Sequence, residues 1–153
     1  MAANFEIRLT TEGRRFKKEL EELAKLEVAV GYQQGQTNKE GVSLAEIAIF
    51  NDLGTVHIPS RPFMRDSLNN NKEHISNFMQ RAVGGIVNGV SAEEILNKIG
   101  AEQKGLIQRE IRNGSFAPNS PATIRKKGSA QPLIDKGTMR DSVNFIVRER
   151  RSD

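Results

Sequence analysis

"TEGRRFKKELEELAKLEVAVGY" (Thr11–Tyr32) changes its period in mid-course, and that change decides the fold class. Phe16, Leu20 and Leu23 recur every three or four residues among lysines and glutamates, the pattern of an amphipathic helix. From Leu26 the order becomes "LEVAVGY", which reads as a strand through Tyr32. Upstream, "NFEIRLT" alternates Phe5, Ile7 and Leu9 with polar neighbours and predicts a short first strand. At the far end, "SVNFIVR" places Val143, Phe145 and Val147 in the same alternation, giving a last strand that can rejoin the N-terminal pair. Strand, helix, strand, several helices, strand is the order of an α+β domain. The expected architecture is a small mixed sheet, from the N-terminal strand-helix-strand plus the C-terminal strand, packed by two long helices and shorter ones. Any crossover between parallel neighbours should be right-handed.

The helices come from the middle. Ser43 and Glu46 in "SLAEIAIFNDLG" have capping-box spacing, with Leu44, Ile47, Ala48 and Phe50 as the apolar side and Gly54 able to close the helix. "HIPSRPFMRDS" (His57–Ser67) follows. Pro59 and Pro62 fix their own φ and bias Ile58 and Arg61 away from helix, so the chain should run extended and then launch a helix near Pro62. That helix would carry Met64, Leu68, Ile75, Met79 and Ala82, weakened at Asn69–Asn71. Gly84-Gly85 and Asn88-Gly89 interrupt it, and Ser91 with Glu94 opens another long helix, stopped at Asn113-Gly114. Gly100 and Gly105 within it suggest close backbone packing or a bend. Ser120-Pro121 starts a short basic helix ended by Gly128. The 153 residues fit one domain, with a candidate flexible loop at 33–42 and a turn-rich segment at 114–142.

Composition narrows the chemistry. There is no cysteine, which removes disulfides, thiolate metal sites and cysteine nucleophiles. No apolar run reaches the length of a membrane span, and the N-terminus lacks a signal-peptide pattern, so a soluble protein made in the cytoplasm is expected. The net charge of +4 resides in Thr123–Asp153, which holds eight Lys/Arg against four Asp/Glu. Arg125, Lys126, Lys127 and Arg140 form the best candidate electropositive face, for acidic partners or DNA phosphates. Solvated surface is the commoner role of such runs, and no aromatic is interleaved to stack on bases.

Catalytic signals are weak. His57, Ser60 and Asp52 supply a base, a nucleophile and an orienter in sequence, but such sets arise in almost any chain. His74 has no H-E-x-x-H spacing, and no phosphate-loop or dinucleotide fingerprint is present. No enzyme, metal or cofactor is expected.

Two segments go beyond pattern. "LAEIAIFNDLGTVHIPSRPFMRDSL" and "GSFAPNSPATIRKKGSAQPLIDKGTMRDSVNF" together resemble the tail-completion, or neck, proteins of tailed bacteriophages, also described as virion morphogenesis proteins. The likeness rests on Asn51, Gly54, Thr55, Ile58, Pro59, Arg61, Pro62 and Phe63 in the first. In the second it rests on Pro118, Ser120, Thr123, Lys127, Pro132, Leu133, Asp135, Gly137, Met139, Arg140 and Ser142. Lys136 stands where that group often has threonine, and the second segment follows the first, whereas related groups also show the reverse order. The resemblance implies a non-enzymatic homo-oligomer, a hexameric ring in the virion neck or tail, assembled in the host cytoplasm. Its implied partners are the head-completion or adaptor protein and the tail terminator or tail tube, with non-specific contact to packaged DNA and none to membrane. Pro59, Arg61, Pro62, Phe63 and Arg65 are then a stiff docking or folding element. A small basic nucleic-acid-binding protein is the alternative.

Overall fold

The computed structural model describes residues 8–134 and 136–151. Helix α1 (Thr11–Lys25) is capped by Thr10, whose Oγ1 accepts from the Gly13 amide at 3.1 Å. Its last residue leads straight into strand β1 (Leu26–Gly31), because Leu26 is already extended. Beyond a loop come α2 (Leu44–Leu53), α3 (Phe63–Asn69), α4 (Lys72–Gly84) and a 3₁₀ turn at Gly85–Asn88. Then follow α5 (Ala92–Asn113), α6 (Pro121–Lys127), the single-turn α7 (Thr138–Asp141) and strand β2 (Asn144–Glu149).

The architecture is α+β. Strands β1 and β2 pair antiparallel, with Val28 opposite Val147 and Val30 opposite Phe145. Among the described residues these two strands are the whole sheet. Of the expected first strand, Phe5 and Ile7 lie outside the described residues, and Leu9 is exposed in irregular chain just before α1.

Helix α5 is the spine, packed against both strands and against α1, α3, α4 and α7. Its N-terminal half puts Ile95 and Ile99 with Ile86, flanked by Leu23, Val28 and Phe78. Its C-terminal half puts Ile107 and Ile111 with Phe63, Leu133, Met139 and Val143. Gly100 sits between these two clusters, where an added Cβ would lie 2.3 Å from the Phe145 ring. The missing side chain lets the sheet's one aromatic reach the helix backbone.

Several local expectations are modified. The helix after Pro62 is two helices, divided at Asn70–Asn71. The Asn71 side-chain amide donates to Ser67 O at 2.8 Å, taking the carbonyl that a continuing helix would bond through its backbone. The capping boxes are half formed. Ser43 and Ser91 accept from the Glu46 and Glu94 amides, but Glu94 turns to Lys98 at 2.7 Å rather than back to the cap. Gly105 shows no close approach, for nothing lies within 4 Å of a Cβ built there. The loop at 33–42 is held by bonds of its own: Asn38 Oδ1 accepts from the Glu40 and Val42 amides, each at 2.9 Å. Gln36 ties it to the Ser142 carbonyl.

Two substitutions on one helix separate packing from propensity. Gly100→Ala is expected to cost about 1–3 kcal/mol by overpacking against Phe145. Gly105→Ala should stabilise by about 0.5–1 kcal/mol. Urea denaturation followed by circular dichroism reads both. A third concerns Tyr32, whose hydroxyl is buried with no hydrogen-bond partner among the described residues and whose ionisation burial pushes upward. Tyr32→Phe should raise stability by about 1 kcal/mol in the same assay.

Candidate functional site

The region around "HIPSRPFMRDS" is built on backbone hydrogen bonds before any side chain enters. Gly54 ends α2 at φ 80°, and a Cβ there would meet Ser60 N at 2.8 Å, so only glycine fits. The Thr55 amide donates to Ile58 O at 2.8 Å, and Thr55 Oγ1 accepts from the His57 and Ile58 amides, which closes a tight turn. Pro62 then makes an inverse γ-turn: its φ is −77° and ψ 52°, with the Phe63 amide bonded to Arg61 O at 2.7 Å. The helix therefore starts one residue later than Pro62, which occupies the cap position and not the first turn.

A proline cap has no side chain to offer the amides of α3, and Asp52 supplies one from the end of α2. Its Oδ1 accepts from the Met64 amide at 2.9 Å, and its Oδ2 from Arg65 Nε at 3.0 Å. Arg65 also donates to Asp52 O, at 2.8 Å. Asp52 is thus a remote N-cap, buried and with both oxygens engaged.

Arg61 is the centre. It is 7% exposed, and Nε donates to Ala117 O at 2.8 Å while Nη2 donates to Pro118 O and Asn119 Oδ1, both at 3.2 Å. Nη1 donates to Asn51 Oδ1 at 3.3 Å, and the Arg61 amide donates to Asn51 O at 2.6 Å. The guanidinium fork therefore ties α2 and the start of α3 to the chain at 117–119. Every acceptor is a neutral oxygen, and burial lowers the arginine pKa.

The remaining candidates divide. Phe63 is fully buried in the larger core, so it and Arg61 act in folding, while Pro59 is exposed and Pro62 half-buried. Arg65 spends its charge on Asp52. Ser120 caps α6 through the Thr123 amide at 3.2 Å, Pro121 occupies the first turn and Gly128 closes the helix, as the sequence predicts. Arg125, Lys126 and Lys127 form its last turn and make no ion pair among the described residues. Arg140 does not join them as a free cation. It lies on α7 with Nε 2.7 Å from Asp141 Oδ1, a pairing that raises the arginine pKa and lowers the aspartate's.

The hydrolytic set does not assemble. Ser60 Oγ donates to the Asp52 carbonyl at 2.8 Å, the Asp52 carboxylate is occupied, and His57 is exposed with no side-chain bond to either. Among the described residues no group of histidines and carboxylates has metal-binding geometry, and no helix is long and apolar enough to cross a membrane. Sequence reasoning missed Asn119 and misread Asp52. "APNSP" held the available signal, since two prolines around an asparagine leave carbonyls without a helical or strand partner. The chain matches no family model, no curated protein and no solved structure.

Substitutions should grade by burial. Arg61→Lys, which cannot reproduce the planar fork, is expected to lose about 2 kcal/mol or more of unfolding free energy. Arg65→Ala, which removes the exposed cation of the pair and leaves the Met64 amide on Asp52, should lose less than about 1 kcal/mol, and His57→Ala should lie within about 0.5 kcal/mol of the parent. Thermal and urea melts of the three variants check the order.

Proposed function

We propose that the protein is a structural subunit of the phage neck or tail, forming a ring that joins the head-side connector to the tail terminator or tube. The observation that carries the assembly reading is the outer face of α2. A helix inside a small domain should show a polar side to water, but α2 is apolar nearly all round. Leu44 and Ala48 face the core, whereas Ile49, Phe50 and Leu53 are about half exposed or more, and Val56 just beyond is 96% exposed. Contiguous apolar surface of this kind marks a protein contact.

The neighbouring surface extends it. Along β2, Phe145 faces α5 and Ile146, 38% exposed, faces away, so among the described residues the second side of the sheet is partly open. Between that side and α2 runs a groove of about 600 Å³, lined by Ala29, Ile146, Ile49, Leu53 and Met64. In a closed ring each subunit offers one surface and receives another, and an exposed apolar helix beside a partly open sheet face supports that kind of contact. The resemblance supplies the identity of the partners: copies of itself, with six-fold closure, and the adaptor and terminator or tube proteins on either side. Arg125, Lys126 and Lys127 fit non-specific contact with passing DNA. The mechanism is shape complementarity, and no residue is assigned a catalytic role.

The second reading, a small basic nucleic-acid-binding protein, is favoured by those same three cations, which have no ion pair among the described residues. Sedimentation of the purified chain, alone and with candidate neck proteins, separates the two. Self-association or a stable joint complex is expected, abolished by Ile49→Glu with Leu53→Glu, while the melting temperature changes little because both side chains are already wet. A chain that stays monomeric, ignores neck proteins and binds only duplex DNA would overturn the neck reading.

A further inference from the structure

A second groove lies on the opposite side of α2 from the exposed apolar face. It has a volume of about 310 Å³ and runs between the 36–43 loop, α2, the end of α6 and the turn before α7. Its floor is apolar, formed by Leu44, Ile47, Leu133 and Met139, three of which are buried. Its charged lining is one-sided: Arg61, Lys39, Lys127 and Lys136 against the single carboxylate of Glu40 among the described residues. None of the three lysines has an ion pair or side-chain hydrogen bond among the described residues, although six other lysine or arginine side chains do make ion pairs. These lysines come from three separate parts of the chain, so their convergence is produced by the fold and not by a run in the sequence.

Arg61 makes the imbalance deeper than a surface effect. It is a buried guanidinium whose bonded acceptors are all uncharged, and one of its two Nη1 protons has no acceptor among the described residues. A buried charge without an opposite charge is costly, so the field it sets up at the groove favours an incoming anion. Leu133 adds a second sign, being the one non-glycine described residue in the left-handed region, at φ 62°. Strain of this sort is retained where the surroundings hold a side chain in a required place, and here it holds a leucine in the groove floor.

We propose that this groove binds an acidic peptide segment of a partner protein, one apolar side chain seated on Leu44, Ile47, Leu133 and Met139 and flanking carboxylates met by Lys39, Lys127 and Lys136. The apolar floor selects a peptide over nucleic acid. A DNA backbone has only phosphate and sugar to present, and would leave that floor uncovered, whereas an Asp/Glu-flanked leucine satisfies rim and floor together. The proposal concerns the other side of α2 and requires no self-association, so it shares with the neck reading only the use of Lys127.

The test uses the full chain and a fluorescein-labelled hexapeptide of one leucine flanked by aspartates and glutamates, followed by fluorescence anisotropy at low salt. Saturable binding is expected, weakened about tenfold by replacing the peptide's leucine with serine and weakened further as salt rises. The double variant Lys127→Gln, Lys136→Gln should weaken it by about tenfold with an unchanged melting curve, since neither lysine has an ion pair among the described residues. Arg61 is left intact because it holds the fold. Binding that ignores the double substitution overturns the proposal. So does indifference to the leucine, or a labelled DNA duplex that binds more tightly than the peptide and loses affinity in the same variant.

Discussion

One guanidinium holds the structure's two halves in register. Arg61 reaches from the turn after α2 into the chain before α6 and satisfies two carbonyls and two side-chain amides there and at Asn51. The acceptors Ala117 O and Pro118 O belong to a stretch with neither helix nor strand, where a buried carbonyl would otherwise go unmatched. Arginine suits this task because its donors are fixed in a plane and spread over several directions. Position is set beforehand by the Arg61 amide on Asn51 O and by the γ-turn at Pro62, so the side chain enters the gap already aimed. Asp52, one residue from Asn51, caps α3 by the same economy of means, and α2 thereby fixes both the clamp and the helix that follows it.

The fold class was legible because it depends on periodicity. The switch at Leu26 and the alternation of Val143, Phe145 and Val147 both correspond to elements, and the caps at Ser43, Ser91 and Ser120 sit where short-range spacing puts them. What failed was governed by competition between neighbours. Asn71 ends one helix by bonding Ser67 O, a choice that apolar spacing on either side does not reveal. The two glycines of α5 look alike in sequence, yet one admits Phe145 from more than forty positions away and the other meets nothing.

The site was less legible than the fold for a related reason. The prolines around Arg61 announce a stiff segment, but stiffness does not say which side faces inward. Burial of Arg61 and Phe63 decides that for these two side chains, which face inward and join the start of α3 to the larger core and to the chain at 117–119. Likewise the basic run "RKK" was visible, but its last member's companions in the groove, Lys39 and Lys136, lie nine or more residues from it in the chain and carry no local signal.

The sheet imposes an order of events on the making of this protein. Leu26 pairs with Glu149 and Gly31 with Asn144, so the two strands are separated by residues 32–143. Such a pairing gains nothing until the intervening loop has closed, and closure entropy must be overcome by contacts made elsewhere first. On a ribosome β1 emerges early and waits without a partner while α2 through α7 are synthesised around the future spine. The edge of β1 that β2 covers is then a liability in the nascent chain until β2 has been made.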